Sequence, residues 1–411
     1  MPKDIADPTT NLPLETLVAI FEAGRFSQAE LASLRLVNRA FRDAASFASF
    51  YRRHTVKWNK EDPQQIADYF AYKLPAYVTD SLHHLVIRGR CGVAPEAALA
   101  GISLPNLVTL ELLTSSTVVD ASAIPGSVTE LNLACSPDLD FDLLVQRMPN
   151  LECLGLEIED VAQAMPITSL TRLRRLSLVL VGWSETGEGL TKLLTALAAS
   201  PLAATLEALE VYGEGVSAEA AWMESISALS ALRELGINVD EDTPRGEAGG
   251  FAHFLQSLDQ LEVLTLDLCL GDVVDAIHVC GLPANLRVLN LFGAYRAVHS
   301  TSAMVAVLPH RTLRAVRFRG AYGEPNASKL ADLVAACPGV QWWDISVGSD
   351  VPGAIEDGTL TFERPVVFKQ KSPQMNEAMV VAGHTVADFE IDIDWRQAGA
   401  VFKDGVAVAL E

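Results

Sequence analysis

The chain has 411 residues, 49% of them hydrophobic, with 52 acidic residues against 31 Lys and Arg and a formal net charge of -21. That length exceeds the usual single domain and supports a large buried core. The acid excess argues against a phosphate-binding surface, because nucleic-acid affinity comes mainly from clustered Lys and Arg. No apolar run reaches the roughly 18 residues of a membrane-spanning helix, so the expected macromolecular partner is a protein, with no nucleic acid and no membrane involved.

The amino-terminal part has a different charge from the rest: residues 1–60 hold nine Lys/Arg and six Asp/Glu. Leu14, Leu17, Val18 and Phe21 recur at the spacing of one helix face, and Pro13 with Glu15 suits a first turn. Ser27 followed by Glu30 forms a capping box for a second helix near Gln28. Leu31, Leu34, Val37 and Phe41 continue the apolar stripe, while Arg35, Arg39 and Arg42 fall on the wet side. Residues 8–50 are therefore expected to form three short helices. A unit this small needs a disulfide, a metal or a partner to be stable. Periodicity leaves open whether its apolar surface caps the neighbouring domain or docks another protein. The start has no basic region followed by an apolar run and cleavage site, which predicts residence in the cytoplasm or nucleus.

Residues 51–80 read as a junction in which Trp58, Tyr69, Phe70 and Tyr72 suggest packing. Beyond it a frame returns, apolar-x-x-apolar-x-apolar. It runs from Leu82-Leu85-Ile87 through Leu107-Leu110-Leu112, Val128-Leu131-Leu133, Leu151-Leu154-Leu156, Leu173-Leu176-Leu178 and Leu206-Leu209-Val211. It continues through Leu232-Leu235-Ile237, Leu261-Leu264-Leu266, Leu286-Leu289-Leu291 and Leu313-Val316-Phe318 to Val340-Trp343-Ile345. The steps average about 26 residues, the period of a leucine-rich repeat. Each frame predicts a short strand with its apolar residues turned inward, followed by a return segment; one repeat cannot bury its own face, so about eleven of them must stack through residues 81–350.

Returns such as "GLTKLLTALAAS", "SAEAAWMESISALS", "GGFAHFLQSL" and "SKLADLVAAC" have helical spacing, whereas the short steps between Leu107 and Leu173 leave room only for short or irregular segments. The Asn that marks regular repeats is missing; Ser115, Ser136, Glu159 and Glu214 stand in its place in four of them. Residues 351–411 leave the frame and are expected to be capping strands. Within them "VADFEIDIDWRQ" alternates, with Phe389, Ile391, Ile393 and Trp395 on one face and Asp388, Glu390, Asp392 and Asp394 on the other. Charges there suit an edge strand, and a flat row of carboxylates does not wrap a calcium ion.

No catalytic constellation emerges. There is no phosphate-binding glycine loop, no His-Glu-x-x-His and no Gly-x-Ser-x-Gly elbow. His83 and His84 point to opposite faces of a strand and cannot share a metal. The six cysteines lack zinc spacing and read as reduced core residues. The chain is expected to be no enzyme and to need no cofactor and no metal.

Once the frame is accepted, residues between its apolar positions line the concave face of the fold. Between the last two apolar positions stand, for instance, Val86, Glu111, Gly155, Glu210, Gly236 and Arg317. With outward neighbours added, the candidate target-binding set is Glu111, Glu130, Glu210, Tyr212, Glu234, Asp267, Phe292, Arg317, Arg319 and Trp342. Its first part is acidic and fits a basic target, while its last part mixes aromatic and Arg residues as interface hot spots do.

The order Leu12-Pro13, Glu15, Leu17, Ile20-Phe21, Leu31, Leu34 and then "RLVNRAFRDAA" resembles the F-box, the segment by which substrate receptors dock the Skp-type adaptor of cullin-RING ubiquitin ligases. The resemblance covers about 35 residues, and Asn38 stands where that family often has Cys. It implies that Leu12, Pro13, Leu17, Ile20, Phe21, Leu31, Leu34, Val37 and Phe41 form the adaptor-facing and core apolar set. The remainder looks like a degenerate leucine-rich repeat, similar to those of fungal F-box substrate receptors. The fold expected is α/β: a three-helix F-box followed by a solenoid with a curved parallel sheet. The function implied is target recognition for an SCF-type ligase, whose other subunits transfer ubiquitin; the alternative is a non-degradative interaction scaffold whose first helices cap the solenoid.

Overall fold

The structure, a computed structural model, describes residues 53–58, 82–89, 99, 102–114, 118–134, 138–181, 186–213, 220–239, 248–268, 281–292 and 312–318, positions within 328–344, and 366–371, 376–382, 385–390, 401–403 and 406–408. Residues 8–50, and with them the F-box-like helices, lie outside the described residues. The chain divides into two compact units, Met1–Arg175 and Leu176–Glu411.

In the first unit β1 (Arg53–Trp58), β2 (His84–Gly89) and β3 (Thr109–Thr114) are followed by the two-residue β4 (Val118–Val119), then β5 (Glu130–Ala134), β6 (Asp138–Leu139) and β7 (Cys153–Ile158). The order β1-β2-β3-β5-β7 is parallel throughout. Leu85, Leu110, Leu131 and Leu154 stand level from strand to strand. All twelve apolar positions of the first four frames are buried. Alternation along a strand explains the pattern, since every second residue faces the core. β1 lies within the segment read as a junction; only Val56 marks it in sequence, and Val56 is buried opposite Ile87.

The described returns between Leu107 and Leu173 are short, as the 21-to-23-residue steps there predict. They consist of a 3-10 turn at Ala121–Ala123, helix α1 (Phe141–Arg147) and a 3-10 segment at Val161–Ser169. Each begins at an aspartate. Asp120, Asp140 and Asp160 accept hydrogen bonds from the amides of Ser122, Leu143 and Ala162 at 2.8 to 2.9 Å, satisfying donors that the start of a helical turn leaves unpaired. The Ser122 hydroxyl and amide hold the Asp120 carboxyl below the ordinary carboxylate value. Asp140→Ala is expected to cost about 1 kcal/mol, read as a lower urea midpoint at unchanged slope.

The second unit holds β8 (Arg175–Leu180), β9 (Ala208–Gly213), β10 (Glu234–Val239), β11 (Val263–Leu268), β12 (Val288–Phe292), β13 (Ala315–Phe318) and β14 (Trp342–Asp344). β9 to β14 pair in parallel, with Leu209, Leu235, Leu264, Leu289, Val316 and Trp343 in one register. β15 (Val366–Lys371) adds in parallel to β14, then β16 (Asn376–Ala382) and β17 (Thr385–Glu390) turn antiparallel. β17 ends that strand order, the place expected for the alternating segment, of which residues 391–395 lie outside the described residues. β18 (Val401–Lys403) and β19 (Val406–Val408) form a separate pair.

Three predicted helical returns appear as α2 (Thr186–Ala199), α3 (Ala220–Ser227) and α4 (Ala248–Ser257). Trp222 of α3 meets Phe251 and Phe254 of α4 edge-on, with centroids 6.4 and 5.7 Å apart, and between α2 and α3 the hydroxyls of Thr195 and Ser225 lie 3.1 Å apart. In the fourth, Ser328, Ala331, Asp332 and Ala335 are helical and Cys337 is buried. A parallel sheet built from one inward Leu frame, with a helical or irregular return after each strand, is an α/β arrangement consistent with leucine-rich repeats. No helix among the described residues is long and apolar enough to cross a membrane.

Candidate functional site

Each repeat leaves three strand positions on the face opposite its buried leucines, and the register stacks these positions into columns. In the first unit His84, Thr109, Glu130 and Cys153 form one column, and Val86, Glu111, Asn132 and Gly155 the next. Glu111 does not stand alone: its carboxylate lies 2.7 Å from His84 Nε2, with both side chains partly buried. Glu130 is exposed and accepts a hydrogen bond from the Thr109 hydroxyl at 2.8 Å. Val86 departs from expectation. It is fully buried instead of surface-forming, flanked in register by Thr55 of β1 and Glu111 of β3.

In the second unit the middle column runs Glu210, Gly236, Thr265, Asn290, Arg317 and Asp344. Glu210 and Tyr212 both lean over Gly236. A Cβ at that glycine would lie 2.6 Å from the Tyr212 hydroxyl and 3.1 Å from Glu210 Cγ, so the absence of a side chain creates the notch they occupy. Glu210 is half-buried there and forms no ion pair or hydrogen bond among the described residues. Partial desolvation without a counter-charge favours a cation arriving from outside. Glu234 stands two residues before Gly236 on β10 and shares its face.

Further along, the Asn290 amide donates to the Thr265 hydroxyl at 3.0 Å, and the Asn238 amide donates to the Gly213 carbonyl at 3.5 Å. The side-chain carbonyl oxygens of Asn238 and Asn290 are buried with no hydrogen-bond partner. Across β9 to β12 the outward columns contain Glu210, Glu234 and Asp267 and no Lys or Arg.

The remaining predicted residues are placed by register. Asp267 is level with Asn238 and Phe292, Arg317 with Asn290 and Asp344, and Trp342 with Ala315. Phe292, Arg317 and Trp342 thus occupy three different columns on three successive strands, forming a diagonal instead of one cluster. Arg319 and the adaptor set, Leu12, Pro13, Leu17, Ile20, Phe21, Leu31, Leu34, Val37 and Phe41, lie outside the described residues.

Sequence reasoning missed a second polar array, at the edge where the strands begin. The residue just before each outward column passes a backbone hydrogen bond to the next rung, and in the second unit these residues are Glu207, Arg233, Glu262, Arg287 and Arg314. Their spacing from the Leu frame was a usable signal, because each follows the first apolar residue directly. No group of His, Cys, Asp and Glu suited to a metal occurs among the described residues.

No family model matches the sequence, and no curated protein matches it. Among solved structures, internalin C2 from Listeria monocytogenes is similar over 57% of this chain and 90% of that one, at 17% identity and a TM-score of 0.34.

Proposed function

We propose that this chain is a target receptor: its repeat face binds a protein with a basic segment, and its amino-terminal F-box-like segment docks a Skp-type adaptor, through which a cullin-RING ligase transfers ubiquitin to the target. The observation that carries the binding half is Glu210, a half-buried carboxylate with no partner among the described residues, set beside Tyr212 over Gly236. A Lys or Arg side chain fits it chemically, since the carboxylate supplies the counter-charge and the phenol ring a cation–π face. Val179, 40% exposed on β8 at the frame position that Tyr212 holds on β9, offers apolar surface for the aliphatic stem. The adaptor half rests on the resemblance of residues 12–45. In this reading the chain performs no bond chemistry of its own; holding a target lysine near the charged conjugating enzyme replaces a bimolecular encounter with a local one.

Purified full-length chain is expected to bind the Skp-type adaptor in biolayer interferometry, and the Leu12→Ala/Pro13→Ala/Leu17→Ala variant to lose that binding while keeping its circular dichroism spectrum. Glu210→Gln/Tyr212→Ala should retain the adaptor and lose a Lys/Arg-rich probe peptide. A folded wild type that ignores the adaptor removes the ligase role and leaves a non-degradative interaction scaffold. Equal peptide capture by Glu210→Gln/Tyr212→Ala removes the repeat face as its site.

A further inference from the structure

The strand-entry edge of the second unit contains a cavity of about 210 Å³ lined by Gln260, Glu262, Asn285, Arg287 and Thr312. A liquid water takes roughly 30 Å³, so the space holds a small functional group and not merely one solvent molecule. Its electrostatics reverse those of the chain as a whole. Glu262 receives Arg233 Nη1 at 2.6 Å and Arg287 Nη1 at 3.3 Å, two guanidiniums on one carboxylate. Arg314 follows on the next rung. Arg233 and Arg287 remain 59% and 66% exposed, against 27% for Glu262.

Donors left unused by the chain face an incoming ligand. The short contact from Arg233 already satisfies one oxygen of Glu262. Arg287 makes only the longer contact, and a guanidinium carries five N–H donors in a planar fork. Gln260 has no side-chain partner among the described residues. Asn285 uses one amide hydrogen on the Asp259 carbonyl at 2.7 Å and has a second. Donors therefore converge on the cavity while its one carboxylate is held by Arg233.

We propose that this edge pocket binds the carboxylate of an acidic side chain from a protein partner, with Arg287 as its bidentate anchor and Gln260 and Asn285 as supporting donors. Two guanidiniums against Glu262 leave a single excess positive charge, which matches a carboxylate better than a doubly charged phosphate. Planar fork-to-fork pairing gives the contact direction as well as strength. The site is separate from the outward face, which is acidic and reads cations.

The test uses fluorescence anisotropy of the full chain with a dye-labelled Glu-rich peptide, its Gln-for-Glu counterpart and inorganic phosphate as competitor. The Glu-rich peptide is expected to bind, the Gln counterpart not to bind, and affinity to fall as salt rises. Arg287→Ala should weaken binding by at least about tenfold, the scale of losing a charge-assisted bond. Glu262→Gln, which removes the competing carboxylate, should tighten it severalfold, and Glu210→Gln should leave it unchanged. Binding that is equal for the two peptides, or unaltered in a folded Arg287→Ala variant, overturns the proposal. Displacement by equimolar phosphate also overturns it, since the site would then be a general anion site. Adaptor docking plays no part in any of these readouts.

Discussion

Leu264→Ala is expected to lower the free energy of unfolding by about 3 kcal/mol, within the range for large-to-small changes in a packed core. Leu264 is fully buried and stands in register between Leu235 and Leu289, which are buried as well. Neighbouring strands about 4.8 Å apart are tied by backbone hydrogen bonds, so the walls of the cavity cannot close over the missing carbons. Because a repeat is stabilised by its neighbours, the loss should spread along the stack. Hydrogen exchange is then expected to speed up across β10, β11 and β12 and not at β11 alone, while urea unfolding reports the total. Val179→Ala, on the exposed side of β8, should fall within about 0.5 kcal/mol of wild type. A similar small effect at Leu264 would remove it from the inward frame.

Gly213→Ala is expected to cost more than about 2 kcal/mol, for two separate physical reasons. The residue ends β9 at φ +150°, a backbone conformation that side chains bearing a Cβ rarely adopt. An added Cβ would also lie 2.6 Å from both the carbonyl oxygen and the Cβ of Leu180. That obstacle is largely backbone and cannot rotate away. Shifting Gly213 would further disturb its carbonyl, which accepts from the amide of Asn238, a side chain whose own oxygen is already without a partner. Gly236→Ala provides the contrast. Its nearest obstacle is the end of the Tyr212 side chain, so the ring should swing aside at small cost to stability. Thermal unfolding of the two variants under identical conditions checks the ranking, and equal melting temperatures would contradict it.

The core was legible because its signal is local and repeated. Every one of the eleven Leu frames coincides with a strand, and the returns with helical spacing at 189–200, 217–230 and 249–258 overlap α2, α3 and α4. A period of two along each strand and a period near 26 between strands suffice to place inward residues without knowledge of any contact. β1 escaped because one buried valine does not make a frame; it exists through pairing with β2, which sequence periodicity does not record.

The site was legible in composition only. The frame identified Glu111, Glu130, Glu210, Tyr212 and Glu234 as outward residues, yet it did not distinguish partnered from unpartnered carboxylates. That distinction depends on residues a whole repeat away: Glu111 meets His84 across 27 positions, and Glu130 meets Thr109 across 21. The edge pocket depends likewise on Arg233, Glu262 and Arg287 being brought together from three successive repeats.

By itself, then, the amino-acid sequence determined the inward frame, the parallel strands and the acidic character of the outward face, because periodic burial is written in neighbouring residues. Only the tertiary structure decided that Glu210 stands without a counter-charge over Gly236 and that two arginines share Glu262 beside an open cavity. Those properties come from the register between strands and the space left between side chains, which are set when the repeats stack.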